Sequence, residues 1–293
     1  MSDKGILLIA ADNKKYLHMA CNLSASIRQS NDKLPIALYF DEESNIQSRI
    51  EEMGFIDELF DIVQPIDNKY FKYGGQKEIG YLKNKVYNFT PFKKTLYIDV
   101  DSLIFINSDV SDLFNLLTSK PFCFPHTTIK SFDSLRNGYD DLDWFDFENI
   151  ASFLSPKINA VNELKSYFFL FEKCEETSCF FNRVNFYFKQ VHSGEIQQTF
   201  DWHHSVSDEP VFLLTLHDRK DWSSYSVKDE YMFNHFEGGL DRNTKERFCG
   251  VTYSGVRISG SHILNYEKCN RRNFNNLSIP YETELKYNFM NFD

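Results

Sequence analysis

Short apolar runs alternate with helical patterns over the first hundred residues. The runs are "GILLIAA" (5–11), "LPIALYF" (34–40), "ELFDIVQPI" (58–66) and "KTLYIDVDSLIFI" (94–106). Between them, residues 16–29, 44–55 and 78–92 have the apolar spacing of helices. Such alternation predicts an α/β fold with a largely parallel sheet flanked by helices, in which ligands bind at the carboxyl ends of the strands.

The second half is less regular, but it continues the same pattern. We predict a strand at "SYFFLFEK" (166–173), a helix at "CFFNRVNFYFKQVHSG" (179–194), and a helix that starts at "DEPVF" (208–212). We find no linker rich in Pro, Gly or Ser. We therefore expect a single domain over residues 1–293, with a ligand-binding first half (1–107) and a second half (108–293).

Charge is distributed unevenly along the chain. The formal net charge is −10, yet residues 99–148 carry ten acids and three bases, whereas 242–272 carry seven bases and two acids. The overall acidity argues against a simple nucleic-acid coat, and the basic stretch could bind a local anion. No CxxC pair occurs among the six cysteines and no apolar run is long enough to span a membrane, so we expect a cytoplasmic protein.

Two aspartates interrupt the fourth apolar run. Asp99 and Asp101 are two residues apart, so on a strand their side chains share a face. Two adjacent carboxylates repel unless a cation lies between them, and oxygen ligands favour Mn²⁺ or Mg²⁺. Two enzyme classes place this DxD triplet after an apolar strand: phosphatases of the haloacid-dehalogenase type, on their first strand, and metal-dependent glycosyltransferases. Here three strands come first, which favours the transferase.

The stretch "YLKNKVYNFTPFKKTLYIDVDSLIFINSDVSDLF" (81–114) resembles the glycogenin-like glycosyltransferases of family 8. The shared elements are a lysine on a helix (Lys83), the strand, the DxD triplet, "LIFIN", and Asp-Leu-Phe. The resemblance implies a GT-A fold, meaning a Rossmann-like mixed, largely parallel sheet. It also implies a UDP-sugar donor and a lysine that reaches the donor's phosphates; an ordinary solvated helix lysine is the alternative.

The resemblance extends to further candidate residues. For donor binding it implies Ala10, Asp12, Tyr16, Lys83, Val100, Ser166 and Lys268; for the metal, Asp99, Asp101 and His262; and as catalytic residues, which would contact the sugar or orient the acceptor, Asp208 and Glu209. Arg271 adds positive charge beside Lys268, where the leaving diphosphate is expected. Tyr16 would stack on uracil, or alternatively pack on the sheet, and Asp208 could be a plain helix N-cap.

Several positions depart from the family pattern. Lys165 and Tyr167 replace Asn and Gly beside Ser166, Glu209 replaces Gln, and Asn265 replaces Gly. We predict a retaining transferase that moves a hexose-type sugar from a UDP-sugar to a hydroxyl of a glycan, a protein or a modified nucleic-acid base. The alternatives are a phosphatase that uses Asp99 and Asp101, or a non-catalytic nucleotide-sugar binder. The oligomeric state stays open.

Overall fold

A computed structural model gives the structure of the chain. It describes residues 3–30, 33–42, 46–105, 108–142, 145–199, 206–234, 250–252 and 272–277. The chain divides into two compact units, which we call the N-terminal unit (Ser2–Ile66, Leu96–Asn115 and Glu230–Asp293) and the central unit (Asp67–Thr95 and Leu116–Asp229, with Met1). Each unit is described by itself.

The elements follow one another in the order that the first part of the sequence predicts. The strands are β1 Lys4–Ala10, β2 Ile36–Phe40, β3 Ile62–Pro65, β4 Lys72–Tyr73, β5 Gln76–Lys77, β6 Lys94–Ile98, β7 Ser102–Ile104, β8 Phe122–Ser131, β9 Ala160–Leu164, β10 Phe168–Glu172, β11 Ser226–Lys228, β12 Met232–Asn234 and β13 Gly250–Thr252. The α-helices are α1 Lys14–Gln29, α2 Ile46–Glu52, α3 Ile56–Leu59, α4 Ile79–Lys83, α5 Val86–Phe89, α6 Phe132–Arg136, α7 Phe147–Ile150, α8 Glu175–His192 and α9 Asp208–His217.

Eight of these strands form one mixed sheet flanked by helices. Its order is β11-β8-β10-β6-β1-β2-β3, with β9 paired to β8. Neighbours β1, β2 and β3 run parallel, whereas β8 is antiparallel to β9 and β10 and parallel to β11. The prediction of an α/β fold with a mixed sheet is therefore confirmed. The division at residue 107 stays a prediction.

Apolar packing differs between the two units. In the N-terminal unit the β1 residues Ile6, Leu7 and Leu8 are fully buried, as a strand with both faces covered should be. The central unit has an aromatic core in which the rings of Phe124 and Phe169 lie 5.0 Å apart, and the rings of Phe124 and Phe212 are separated by the same distance. Many phenylalanines of the described residues are buried in this second core.

Two predicted elements are interrupted. The strand expected over 94–106 is wrong as one element, because β6 ends at Ile98 and β7 begins at Ser102. The N–H of Ser102 donates to the carbonyl of Asp99 at 3.1 Å, which closes a turn and takes the chain out of the large sheet. Strand β7 pairs instead with β13. The helix expected over 78–92 is two short helices, α4 and α5.

A buried serine on α1 holds β7 in place. The hydroxyl of Ser26 accepts from the N–H of Ile104 at 2.9 Å and donates to the carbonyl of Leu23 at 2.7 Å. Ser26 is 1% exposed, so bulk water does not reach its hydroxyl. Because β7 starts one residue after Asp101, this hydrogen bond also restrains the turn that carries the two aspartates.

Ser26→Ala should destabilise the protein by about 1–3 kcal/mol, because the buried N–H of Ile104 loses its acceptor. Ser30→Ala is the matched control: the Ser30 hydroxyl donates to the carbonyl of Ile27, which also accepts the N–H of Ser30 and so stays paired. Urea unfolding of both variants measures the difference. Equal losses in the two variants would contradict the proposed restraint.

Candidate functional site

Asp99 and Asp101 lie in the turn between β6 and β7, in the N-terminal unit. The phenol of Tyr97, itself 5% exposed, donates to Oδ1 of Asp99 at 2.7 Å. Val100 between them is buried, whereas both aspartates are partly exposed. The turn therefore fixes the first carboxylate through a buried tyrosine and leaves each aspartate partly exposed, although Oδ1 of Asp101 itself is buried.

The loop after β1 contains a third carboxylate, that of Asp12. Asp12 has φ +72°, the left-handed region, which Asp tolerates better than most residues. Its N–H lies 3.4 Å from Oδ2 of Asp41, which follows β2 and is 2% exposed. The N–H of Asp41 donates in turn to the carbonyl of Ala10 at 3.2 Å. Asp41 thus ties the end of β2 to the loop after β1.

The pKa of Tyr16, on α1, depends on these carboxylates. Burial, followed by the negative charges of Asp101, Asp12 and Asp99, raises the pKa of Tyr16 to about 12. All three carboxylates therefore lie within electrostatic reach of one phenol, and we call Asp12, Asp99 and Asp101 with Tyr16 the aspartate cluster. The ammonium of Lys15 lies 5.0 Å from the centre of the Tyr16 ring.

The aspartate cluster suits a hard divalent cation, because its donor atoms are carboxylate oxygens. Within the described ranges, no group of three or more His, Cys, Asp or Glu side chains is close enough to form a metal site by itself. His262, the third predicted ligand, lies outside the described residues, as do Lys268 and Arg271. These three assignments stay predictions.

A second group of charged residues lies in the central unit. The ammonium of Lys83, at the end of α4, is 2.9 Å from Oδ2 of Asp208, the first residue of α9. The two side chains are 14% and 18% exposed, so Lys83 is not a solvated helix lysine. Lys83 also donates to the hydroxyl of Ser166 at 3.2 Å. Ser207, not Asp208, occupies the N-cap position.

Glu209 extends this group on the other side of Ser166. Its Oε1 accepts from the N–H of Ser166 at 3.2 Å. Burial is the main cause that raises the pKa of Glu209 to about 7; the charge of Lys165 opposes it, the charge of Asp208 adds to it, and Lys83 lowers it again. We call Lys83, Lys165, Ser166, Asp208 and Glu209 the lysine–carboxylate cluster.

The position of Lys83 depends on a glycine. A Cβ at Gly80 would overlap the carbonyl oxygen of Val206, so only glycine lets α4 lie against the chain that precedes α9. Glu78, at the start of α4, accepts from the N–H of Val206. These two contacts with Val206 bring the end of α4 to the start of α9, where Lys83 meets Asp208.

The structure thus groups most predicted residues but not as one set. Asp12, Tyr16, Asp99 and Asp101 come together in the N-terminal unit; Lys83, Ser166, Asp208 and Glu209 come together in the central unit. Sequence reasoning missed Asp41 and Tyr97, and it treated Lys165 only as a departure from a pattern. Asp41 directly follows an apolar strand, as Asp99 does, so the same signal could have identified it.

Comparison with solved structures places this fold among the GT-A glycosyltransferases. The bifunctional glycosyltransferase WbbM, in its apo form, matches with a TM-score of 0.62 and 11% identity over 97% of this chain, which spans about half (51%) of the WbbM chain. The galactosyltransferase LgtC, in complex with donor and acceptor sugar analogues, matches with a TM-score of 0.56 and 13% identity over 96% of this chain and 100% of LgtC. Apo GlyE from Streptococcus pneumoniae TIGR4 matches with a TM-score of 0.50 and 16% identity, over 96% of this chain and 65% of GlyE.

These neighbours are glycosyltransferases of the family 8 type, as the sequence resemblance predicts. No protein-family model and no curated protein sequence matches the chain. The likeness therefore establishes a shared fold. None of the helices in the described ranges is long and apolar enough to cross a membrane.

Glu209→Gln should make the protein more stable at alkaline pH but not at acidic pH. A carboxyl with a raised pKa contributes most stability below its unfolded value and loses it as pH rises through the folded value. For Glu209 this window runs from pH 4.5 to about pH 7. Across it the free energy of unfolding of the wild type should fall by about 1–3 kcal/mol, whereas that of the glutamine variant should not.

Urea unfolding at pH 4.5 and pH 8 measures this difference. Glu58→Gln, at an exposed position on α3, is the control, and it should differ from the wild type by the same amount at both pH values. A Glu209→Gln variant that tracks the wild type across this range would show that burial does not perturb the carboxyl.

Proposed function

We propose that the protein is a metal-dependent glycosyltransferase that moves a hexose-type sugar from a UDP-sugar to a hydroxyl acceptor. The observation that carries this proposal is a carboxylate pair in the turn after β6, grouped with Asp12 around Tyr16, in a fold shared with solved glycosyltransferases. Carboxylates so placed repel one another unless a cation offsets them, and a nucleotide diphosphate is a ligand that brings a cation.

The N-terminal unit supplies the donor-binding residues on this proposal. Ala10, Asp12, Tyr16 and Val100 contact the nucleotide, with the Tyr16 ring as the surface on which uracil stacks. Asp99 and Asp101, together with His262, hold Mn²⁺ or Mg²⁺, which when bound supplies positive charge for the departing diphosphate. Lys268 and Arg271 contribute further charge to the same phosphates.

The central unit supplies the residues for the sugar and the acceptor. Lys83, held by Asp208 and Ser166, offers an ammonium for the donor phosphates. Glu209, with a pKa of about 7, exists in both protonation states near neutral pH, which suits a group that takes the proton from an acceptor hydroxyl. Asp208 orients the acceptor, and the transfer retains the anomeric configuration.

The acceptor is best supported as a sugar hydroxyl. LgtC shares the fold over its whole length and is described with an acceptor sugar analogue. Hydroxyls of a protein or of a modified nucleic-acid base are the competing acceptors. An acceptor screen with the best donor separates the three classes, because only the true class lets the sugar appear on a product other than water.

Two other functions are alternatives to a transferase. A phosphatase of the haloacid-dehalogenase type would use Asp99 as nucleophile, and its phosphatase activity would disappear in Asp99→Asn without any UDP binding. A non-catalytic binder would bind UDP-sugar and a divalent cation but release no UDP. The shared glycosyltransferase fold favours the transferase over the phosphatase.

Asp101→Asn should lower metal-dependent UDP release from the best UDP-sugar at least ~100-fold, because it removes one of two carboxylates that hold the cation. The assay follows UDP release across UDP-sugars with Mn²⁺ or Mg²⁺. Asp57→Asn, at an exposed position on α3, is the charge-matched control and should keep full activity. Unchanged metal-dependent activity of Asp101→Asn would overturn the metal assignment.

Lys165→Met should move the acidic limb of the pH–rate profile to higher pH. The ammonium of Lys165 lowers the pKa of Glu209, so its loss lets the carboxyl keep its proton to higher pH, and the base form appears later.

Lys130→Met is the matched control for Lys165→Met. The ammonium of Lys130 lies 3.3 Å from one carboxylate oxygen of Glu163, and that of Lys165 lies 3.9 Å from the other. Unlike Lys165, Lys130 is not among the groups that shift the pKa of Glu209. A limb that shifts equally in both variants, or in neither, would argue against Glu209 as the proton acceptor.

A further inference from the structure

A cluster of aromatic rings covers part of the surface of the central unit, apart from the lysine–carboxylate cluster. The ring of Tyr73, on the β4–β5 hairpin, lies 5.3 Å from that of Tyr81 on α4 and 5.2 Å from that of Phe188 on α8. His192, one turn after Phe188, lies 4.7 Å from Tyr73. Tyr73 and Tyr81 are both partly exposed, so this surface can meet a ligand.

Two lysines converge on Tyr81. The ammonium of Lys85 is 4.4 Å from the centre of the Tyr81 ring. The charge of Lys189 on α8 acts on the Tyr81 phenol and on Lys85. In the part of the chain that the structure describes, no ion pair joins Lys85 or Lys189 to a carboxylate. The ammonium groups of Lys85 and Lys189 therefore repel each other, because the charge of one acts on the other.

The segment that contains Tyr81 and Lys85 is rich in lysine. Residues 67–85 carry five lysines and two acids, in a chain whose net charge is −10. Lys72 and Lys77 stand directly opposite each other in the β4–β5 hairpin. Glu78, which lies 3.7 Å from His192, is 5% exposed and accepts a hydrogen bond from the N–H of Val206.

Like charges held together cost free energy that a bound anion would recover. Burial, and then the charge of Lys189, lowers the pKa of Lys85 to about 8, so part of the shift comes from the neighbouring positive charge. A neutral ligand could not relieve this repulsion, whereas a phosphate or carboxylate could accept charge-assisted hydrogen bonds from both lysines.

We propose that Lys85 and Lys189 form a binding site for the phosphate or carboxylate group of an anionic ligand, and that the Tyr81 ring lines this site. The two sources of such a group are a phosphorylated sugar and an acidic saccharide. The site is separate from Lys83, which is paired with Asp208, and it does not depend on the function proposed above.

The titration of Lys85 tests this site directly. Reductive methylation with ¹³C-formaldehyde keeps the lysine charges, and the Lys85 signal is assigned by its loss in Lys85→Arg. The pKa of Lys85 is then measured by NMR in chloride, in inorganic phosphate, in glucose 6-phosphate and in glucuronate at one ionic strength. We expect at least one of these anions to raise the pKa of Lys85 above its value in chloride.

Two variants distinguish a specific anion-binding site from nonspecific electrostatic screening. Lys189→Gln should raise the pKa of Lys85 in chloride and weaken anion binding about fivefold, because one of two donors is lost. Lys157→Gln, which removes one charge from an exposed position far along the chain, should do neither.

The three anions also identify the source of the group. A response to glucose 6-phosphate and inorganic phosphate supports a phosphorylated ligand, and a response to glucuronate alone supports an acidic saccharide. A Lys85 pKa that is the same in all four solutions, or a Lys157→Gln variant that weakens binding as much as Lys189→Gln does, would overturn the proposal.

Discussion

The close approach of α4 to the chain before α9 sets the geometry of the central unit. The backbones at Gly80 and Val206 lie too near for any side chain at position 80, so glycine is required there. This contact directs the end of α4 toward the first turn of α9, where Lys83 meets Asp208. The ion pair is partly buried, so moving either partner away would leave a charge with less water around it than at the surface, which would be costly.

Periodicity in the sequence predicted the first hundred residues well, because each strand there is a short apolar run between helical patterns. It failed at 94–106, where the apolar run continues through a change of sheet and only the Asp99–Ser102 hydrogen bond marks the turn. It also missed β8 and β9. Strand β8 contains Pro125 and ends in polar residues, which hides a strand from a pattern-based prediction.

The two clusters differed in how far the sequence could predict them. Asp99 and Asp101 are two residues apart in the sequence, so their closeness could be inferred from spacing alone. Lys83 and Asp208 are far apart in the chain, and only the family resemblance suggested both. The interaction of Lys165 with Glu209 could not be inferred at all, because it depends on the hydrogen bond from Ser166 that places Glu209 beside residue 165. Long-range pairing of side chains is set by the tertiary structure, which no local pattern encodes.

The clusters also differ in how their charge is balanced. The lysine–carboxylate cluster has two ammonium groups and two carboxylates and is therefore close to neutral without a ligand. The aspartate cluster concentrates three carboxylates around a tyrosine whose pKa they raise, and Lys15 is the cation in contact with that ring. A group of like charges gains most from a ligand of opposite sign, whereas a balanced group gains little. Under the function proposed above, the aspartate cluster would hold the divalent cation, and the lysine–carboxylate cluster would direct hydrogen bonds and accept a proton.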